Sequence, residues 1–465
     1  LLPHVQLHGG LPRELDQDVL ELADALVGHL VRRDPKPEGR RLGEVLAGRD
    51  LHGDQLGLVV AGVEAGPEHA SQRERHKREA LRLLYVVWTR ARDYLATWQR
   101  SGVLAREPGP AFYAYEQVFT VGESEYRRLG LIAAVQLAEF DEGIVLPHER
   151  THSGPKEDRL RLLTALETHT EQIFMLYPDP ENRVNALLRQ AIDGQPPDID
   201  VVEIFESGVR QRVWRIAQPD ILSAIEREME PKRNLIIADG HHRYETALTY
   251  RNQQRQTNPG APPDAAFNFV AATLVSMDDP GLIVLPTHRE IVHFDGVAPR
   301  ELLGRAAEYF TVEPVAGLTG CLSAINSHPT GHAFGFYGGP QTGFHVLTLR
   351  DDDLPFRLIE RDRSREWKAL AVSILHDVLL YHVAGVPEHG IEDKSMIRYH
   401  RDPQAAVDNI NSGRGSYAFF VSPTLIEQIK AVAAHGEKMP QKSTDFYPKV
   451  ISGLTLLPVG ENERI

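Results

Sequence analysis

The sequence predicts an α+β chain, mixed α/β in its layering, and three observations predict it. Strand-like and helix-like runs alternate from about residue 91 onward. No single helical or strand repeat accounts for the whole chain, which excludes a pure bundle or a pure sandwich. No apolar run approaches the ~18 residues that a membrane helix needs, and Leu83-Leu84-Tyr85-Val86-Val87-Trp88 is among the longest. With 465 residues, and ~150 per domain, two or three domains are expected. Lys plus Arg is 51 and Asp plus Glu is 65, a formal charge of −14, so nucleic acid is not an expected partner, although a small local anion site is compatible. The single cysteine, Cys321, excludes an intramolecular disulfide and a Cys-built zinc cluster, and a reducing, cytoplasmic setting is expected.

Residues 1–90 differ from the rest: they contain no Ile, Asn, Phe, Met or Cys, one Ser (Ser71) and one Thr (Thr89). Two readings fit. One is a Leu/Arg-rich helical domain, with Val19-Leu20-Leu22-Ala23-Leu26-Val27-Leu30 as its apolar stripe. The other is a GC-rich gene read out of frame, upstream of the true coding region. The opening on Leu1 rather than Met implies that the sequence does not begin at a natural start. Arg13, Glu14 and Asp16 interrupt any secretory signal. The expected division is 1–90 as an uncertain segment, 91–296 as the core, and 297–465 as a carboxy-terminal α/β region.

In chain order, Ala91–Gly102 reads as a helix stopped by glycine. Ala111–Thr120 alternates aromatic and small residues as a strand does, Val121-Gly122-Glu123-Ser124 turns, and Tyr126–Gln136 returns as a hairpin. Ile144-Val145-Leu146 is a short buried strand. Leu160, Leu162, Leu163 and Leu166 mark a helix, and Val184, Leu187 and Leu188 mark another over Asn182–Ile192. Val213–Ile216 is a strand, Ile221–Met229 a helix, Leu235–Ala238 a strand and Arg243–Arg251 a helix. Arg251–Asp264, with Asn258-Pro259-Gly260 and Pro262-Pro263, reads as a loop. Phe269–Met277 and Leu282–Leu285 are strands, and residues 297–425 mix helices and strands.

The sharpest chemistry lies in Leu235-Ile236-Ile237-Ala238-Asp239-Gly240-His241-His242-Arg243-Tyr244-Glu245. An apolar strand meets an Asp-Gly turn, and a helix starts at or just after His242. This geometry directs free N–H groups and the helix dipole at whatever occupies the turn. Gly240 permits close approach to the backbone, Arg243 offers a fork suited to phosphate oxygens, and His241 and His242 offer donors or a proton shuttle. A charge-assisted bond contributes about 1.5–3 kcal/mol against about 0.3–1 for the dipole, so these side chains should dominate phosphate binding.

In the second segment, Leu146 to Arg159, Ser153 or Gly154 caps a helix with Pro155 at its first position. Glu149, flanked by His148 and Arg150 and followed by Lys156, is placed to act as a general base or hold a metal; the alternative is a surface pair with Arg150 or Arg159. Gly436–Thr444 nearly spells a P-loop, but Gln441 replaces its second glycine and a helix, Ile426–Ala434, precedes it, so the P-loop is rejected. Lys442 and Ser443 remain phosphate-binding candidates, as do His288 and Arg289 at a strand end. His376-Asp377 resembles a metal-phosphohydrolase dipeptide but has no partner motif, so a satisfied or surface histidine is expected, and the Asp278-Asp279 turn reads as ordinary turn chemistry with Mg²⁺ as the alternative.

Taken together, Tyr113-Ala-Tyr-Glu-Gln, Val145-Leu-Pro-His-Glu-Arg, Ser153-Gly-Pro-Lys, Ala238-Asp-Gly-His-His-Arg-Tyr-Glu-Thr-Ala, Val284-Leu-Pro-Thr-His-Arg and Met439-Pro-Gln-Lys-Ser-Thr resemble, in order, the motifs of the domain-of-unknown-function 1015 family, from about Arg92 to Pro458. The family's early Pro-Tyr-Asp segment is missing from residues 1–90. More remotely, Pro147-His148-Glu149 and Asp239-Gly240-His241-His242-Arg243 resemble the two signatures of the ParB/sulfiredoxin-like fold, which includes free serine kinases. The resemblance implies a ParB/sulfiredoxin-like core with insertions, nucleotide phosphates at the 240–243 turn, and Glu149 as the carboxylate near a substrate hydroxyl. His241 stands where sulfiredoxin carries its reactive cysteine, which argues against sulfinic-acid reduction. The expected activity is phosphoryl transfer on a small hydroxy amino acid or its phosphate, with Glu149, Asp239, His241 and His242 catalytic, ADP or ATP as co-substrate and Mg²⁺ as a possible ion. The alternative is a non-catalytic nucleotide-binding switch of ParB type.

Overall fold

A computed structural model of the chain describes residues 88–149, 154–203, 208–292, 294, 296–392 and 395–465, with a two-residue strand at His4–Val5; of residues 154–156 it describes the backbone. Both readings of residues 1–90 otherwise fall outside the described residues, up to residue 87. The fold is mixed α/β and forms two compact units, neither contiguous in sequence. One takes the chain up to Val145, Thr151–Gly281 and Val450–Ile465, and the other takes Leu146–Arg150 and Leu282–Lys449.

The first unit is built on an eight-stranded sheet. Its order is the strand that opens at Val145, then Leu235–Asp239, Ile173–Tyr177, Phe269–Ser276, Ser124–Gln136, Phe112–Val121, Arg210–Ile216 and Ile199–Val202. The hairpin forms as its sequence predicts, with Val121 paired to Ser124 across Gly122-Glu123. Successive residues of Phe112–Val121 point to opposite faces. Tyr113 and Tyr115 therefore pack with Leu163, Tyr250 and Val459, while Ala114 packs with Leu131, Met175, Ile237 and Tyr244. Because both faces are covered, a central strand carries no polar side; Ile173–Tyr177, buried throughout, runs parallel to Phe269–Ser276.

The helices Gly154–Leu166, Arg183–Ile192, Pro219–Met229 and His241–Thr257 belong to this unit. The last corrects the expected loop over Arg251–Asp264, because its first seven residues are helical. Arg251 is buried, donates to the Leu137 carbonyl at 2.8 Å and pairs with Glu139, while Arg255 donates to Asn268 at 2.9 Å. Tertiary partners thus hold polar turns that show no apolar periodicity. The helix stops at Asn258, ahead of Pro259-Gly260.

The second unit has a six-stranded antiparallel sheet in the order Phe310–Val315, Phe344–Leu349, Ala333–Tyr337, Tyr417–Phe420, His288–Ile291 and Ile397–His400. Phe336, Tyr417 and Phe419 stack against one another in its core. A second, short ladder pairs Ile283–Val284 with Phe446–Tyr447. Among the described residues no helix is long and apolar enough to cross a membrane.

Candidate functional site

The strand–turn–helix expected at 235–251 is present. The strand Leu235–Asp239 shifts register between Ile237 and Asp239, and Gly240, at φ 95°, is the N-cap of the helix that starts at His241. That φ belongs to the left-handed region, which a residue with a β-carbon rarely enters. The first helical turn is anchored from below: the Tyr244 amide donates to the Gly240 carbonyl at 2.9 Å. The buried Tyr244 hydroxyl donates to the Ala138 carbonyl at 2.8 Å and accepts from the Ala138 amide at 3.0 Å. His241 points inward and is buried, whereas His242 is half-buried, so the two adjacent imidazoles occupy different environments.

Arg243 folds back beneath the turn. A β-carbon at position 240 would lie 3.0 Å from its Nε and Nη2 atoms, so any other residue there would press on the guanidinium as well as strain its φ. Nη2 donates to Asp239 at 2.7 Å; Nη1 donates to the Gln172 carbonyl at 2.9 Å and pairs with Glu171 at 2.7 Å. The guanidinium is thereby oriented by two carboxylates, both partly exposed.

The remaining candidates lie in the second unit. His148 is buried, with Nε2 2.7 Å from the Thr444 hydroxyl and its carbonyl accepting from Met439 N–H at 2.8 Å. Its ring meets Phe446 edge-on. Arg289 is fully buried and donates to the carbonyls of Thr287 and Lys442. No described carboxylate pairs with it, and burial pushes its guanidinium down to about 10. His288 accepts the Val421 amide at Nδ1, at 3.3 Å, and burial pushes it down to about 4. Ser443 donates to the Pro440 carbonyl at 2.6 Å, while Lys442 presents an exposed side chain from a left-handed backbone of φ 56°. Three motifs separated by more than a hundred residues, those at 146–150, 284–289 and 439–444, are thus fastened into one unit. Glu149 belongs to that unit and Asp239–Arg243 to the other. Arg150 lies outside the described residues, as does the Lys156 side chain.

The weaker candidates resolve individually. Asp279 accepts from the Gly281 amide and from Asn185, and Asp278 accepts from the Asp179 amide, so the turn has a structural use for its oxygens. Among the described residues no group of three or more His, Cys, Asp or Glu side chains is arranged to hold a metal, and Asp239 is engaged by Arg243. His376 is not on the surface: it is buried in a π-helical run, Ile374–Val383, with no partner at Nε2 among the described residues, and burial holds it well below the ordinary histidine range. Its neighbour Asp377 pairs with Arg361 at 3.1 Å. Cys321 is buried and its thiol is pushed up to about 11, consistent with an unreactive side chain.

Sequence reasoning missed Thr444, Glu171 and Gln172 as partners of the candidate residues. Glu171 lies 72 positions before Arg243, and no local pattern marks such a pairing. It also missed a cavity of about 80 Å³ in the first unit, lined by Arg243, Arg159, Glu171, Leu162, Leu166 and Thr246 among others.

Comparisons with known proteins extend this picture. The family model described as a protein of unknown function, DUF1015, matches residues 67–373. No curated protein matches the chain. Among solved structures, a conserved hypothetical protein from Pyrococcus furiosus aligns at 12% identity over 70% of this chain and 93% of its own, with a TM-score of 0.31. A free serine kinase in complex with AMP aligns at 13% identity over 70% and 92%, with a TM-score of 0.30. SbnI with a C-terminal truncation, from Staphylococcus aureus, aligns at 12% identity over 70% and 87%, with a TM-score of 0.33.

Proposed function

The chain belongs to the DUF1015 family, and we propose, from its anion-binding turn together with its resemblance to free serine kinases, that it is a cytoplasmic phosphoryl-transfer enzyme acting on a small hydroxy amino acid, such as serine, or on its phosphate. The observation that carries the reading is the turn at Gly240. Its left-handed backbone opens a 17-residue helix whose first residues are His241, His242 and Arg243, an arrangement of backbone amides, imidazoles and a guanidinium suited to an anion. In this reading the nucleotide or substrate phosphate replaces the Asp239 carboxylate on Arg243. Glu149 takes or returns the hydroxyl proton, a role carried over from the resemblance to serine kinases. The histidines and amides neutralise charge on the transferred group. No step is routed through Mg²⁺.

The test is incubation of the protein with serine or phosphoserine plus ADP, ATP and Mg²⁺, followed by ³¹P NMR. Transfer of phosphate to or from serine supports the reading, and Glu149→Gln should abolish it while leaving nucleotide binding intact. Nucleotide binding without turnover on any hydroxy amino acid overturns the enzyme assignment in favour of the ParB-type switch. Unchanged turnover in Glu149→Gln rejects the proton-acceptor role.

A further inference from the structure

We infer that the cavity beside Arg243 in the first unit is a binding site for a small zwitterionic α-amino acid, with Arg159 receiving the carboxylate and Glu171 the ammonium group. Size is the first constraint. The cavity of about 80 Å³ is small and open on one side. That suits an amino acid with a one- or two-atom side chain.

Charge is the second constraint. Arg159 lines the cavity, and among the described residues it has no hydrogen-bonding or ion-pair partner. The adjacent Asp158 carboxyl, which accepts a hydrogen bond from Trp88, acts on Arg159 electrostatically but forms no close ion pair with it among the described residues. Glu171 commits one oxygen, Oε2, to Arg243 at 2.7 Å, which leaves Oε1 for a second donor. A guanidinium with no close ion-pair partner among the described residues and a carboxylate with a spare oxygen, both lining one small cavity, match the two charges of an amino acid. The third constraint is the wall. Leu162, Leu166 and Ile173 supply apolar surface, which disfavours a second charged group on the ligand.

This site rests on the phosphoryl-transfer reading only in naming a hydroxyl-bearing amino acid as the natural occupant. Arg243 borders the cavity and also supports the turn, so a side-chain hydroxyl directed at Arg243 points toward the proposed phosphate position.

Isothermal titration of the full chain tests the assignment with L-serine, L-alanine, propionate, ethanolamine and inorganic phosphate as probes. Serine and alanine should bind, while propionate and ethanolamine, each lacking one charge, should bind at least about tenfold more weakly. Arg159→Gln should weaken serine by about tenfold or more and leave AMP binding unchanged. Leu162→Phe, which keeps every charge and fills the cavity, should have the same effect. Serine binding unaffected in both variants overturns the site, as does phosphate competing with serine for wild-type Arg159. Serine binding that both variants abolish, without phosphoryl transfer, upholds the site and rejects the catalytic reading. Turnover with an unchanged KM for serine in both variants does the reverse.

Discussion

Gly240→Ala is the substitution whose cost the structure specifies most fully. The β-carbon must adopt φ 95°, which costs about 1–2 kcal/mol for an L-residue. It also arrives 3.0 Å from Nε and Nη2 of Arg243, closer than such atoms normally rest, so the guanidinium must shift by a few tenths of an ångström. That shift loosens the 2.7 Å contacts to Asp239 and Glu171. Since both carboxylates are partly exposed, each contact contributes only about 0.5 kcal/mol. The total is about 2–3 kcal/mol, of which about 1 belongs to Arg243. Native-state hydrogen exchange over His241–Thr257 reads the first unit by itself, and the same change made in an Arg243→Ala background isolates the coupling. An identical cost in both backgrounds would show that Arg243 plays no part in requiring glycine. No cost in either would refute the backbone argument.

Two further outcomes follow from buried groups. Tyr244→Phe leaves both the N–H and the C=O of Ala138 without their partner, so exchange protection of the helix should fall by about 1–3 kcal/mol; a loss under about 0.5 would mean the hydroxyl is dispensable. His288 is held neutral in the native state down to about pH 4, against 6.5 for the ordinary side chain, chiefly by burial and then by Arg289 and His400. The unfolded chain therefore takes up the proton first, and this contribution to stability is present above pH 6.5 and is lost as the pH falls toward 4. At about 1.4 kcal/mol per unit the loss is on the order of 3 kcal/mol, and urea unfolding of His288→Gln should show a shallower decline across that window than the parent. Equal slopes would contradict a neutral buried imidazole that accepts the Val421 amide.

Local chemistry explains which features the sequence disclosed. The hairpin at 112–136 and the turn at 239–241 are written in side-chain alternation and in Asp-Gly, signals spanning fewer than a dozen residues. The helix beyond Arg251 escaped notice because its stability comes from Leu137, Glu139 and Asn268, which no periodicity announces. Ile173–Tyr177 escaped for the opposite reason. A strand buried on both faces has no alternation to detect, and five apolar residues alone do not distinguish strand from helix.

The sequence by itself determined the mixed α/β class, the family motifs and the strand–turn–helix at 235–257, because each is set by contacts within a few residues along the backbone. Only the tertiary structure decided that Arg243 is gripped by Glu171, that His148 meets Thr444, that Arg289 is sealed with no carboxylate partner among the described residues, and that Arg159 lines a cavity. Those outcomes depend on which distant segments pack together, and burial and charge pairing act through space, where separation along the chain carries no weight.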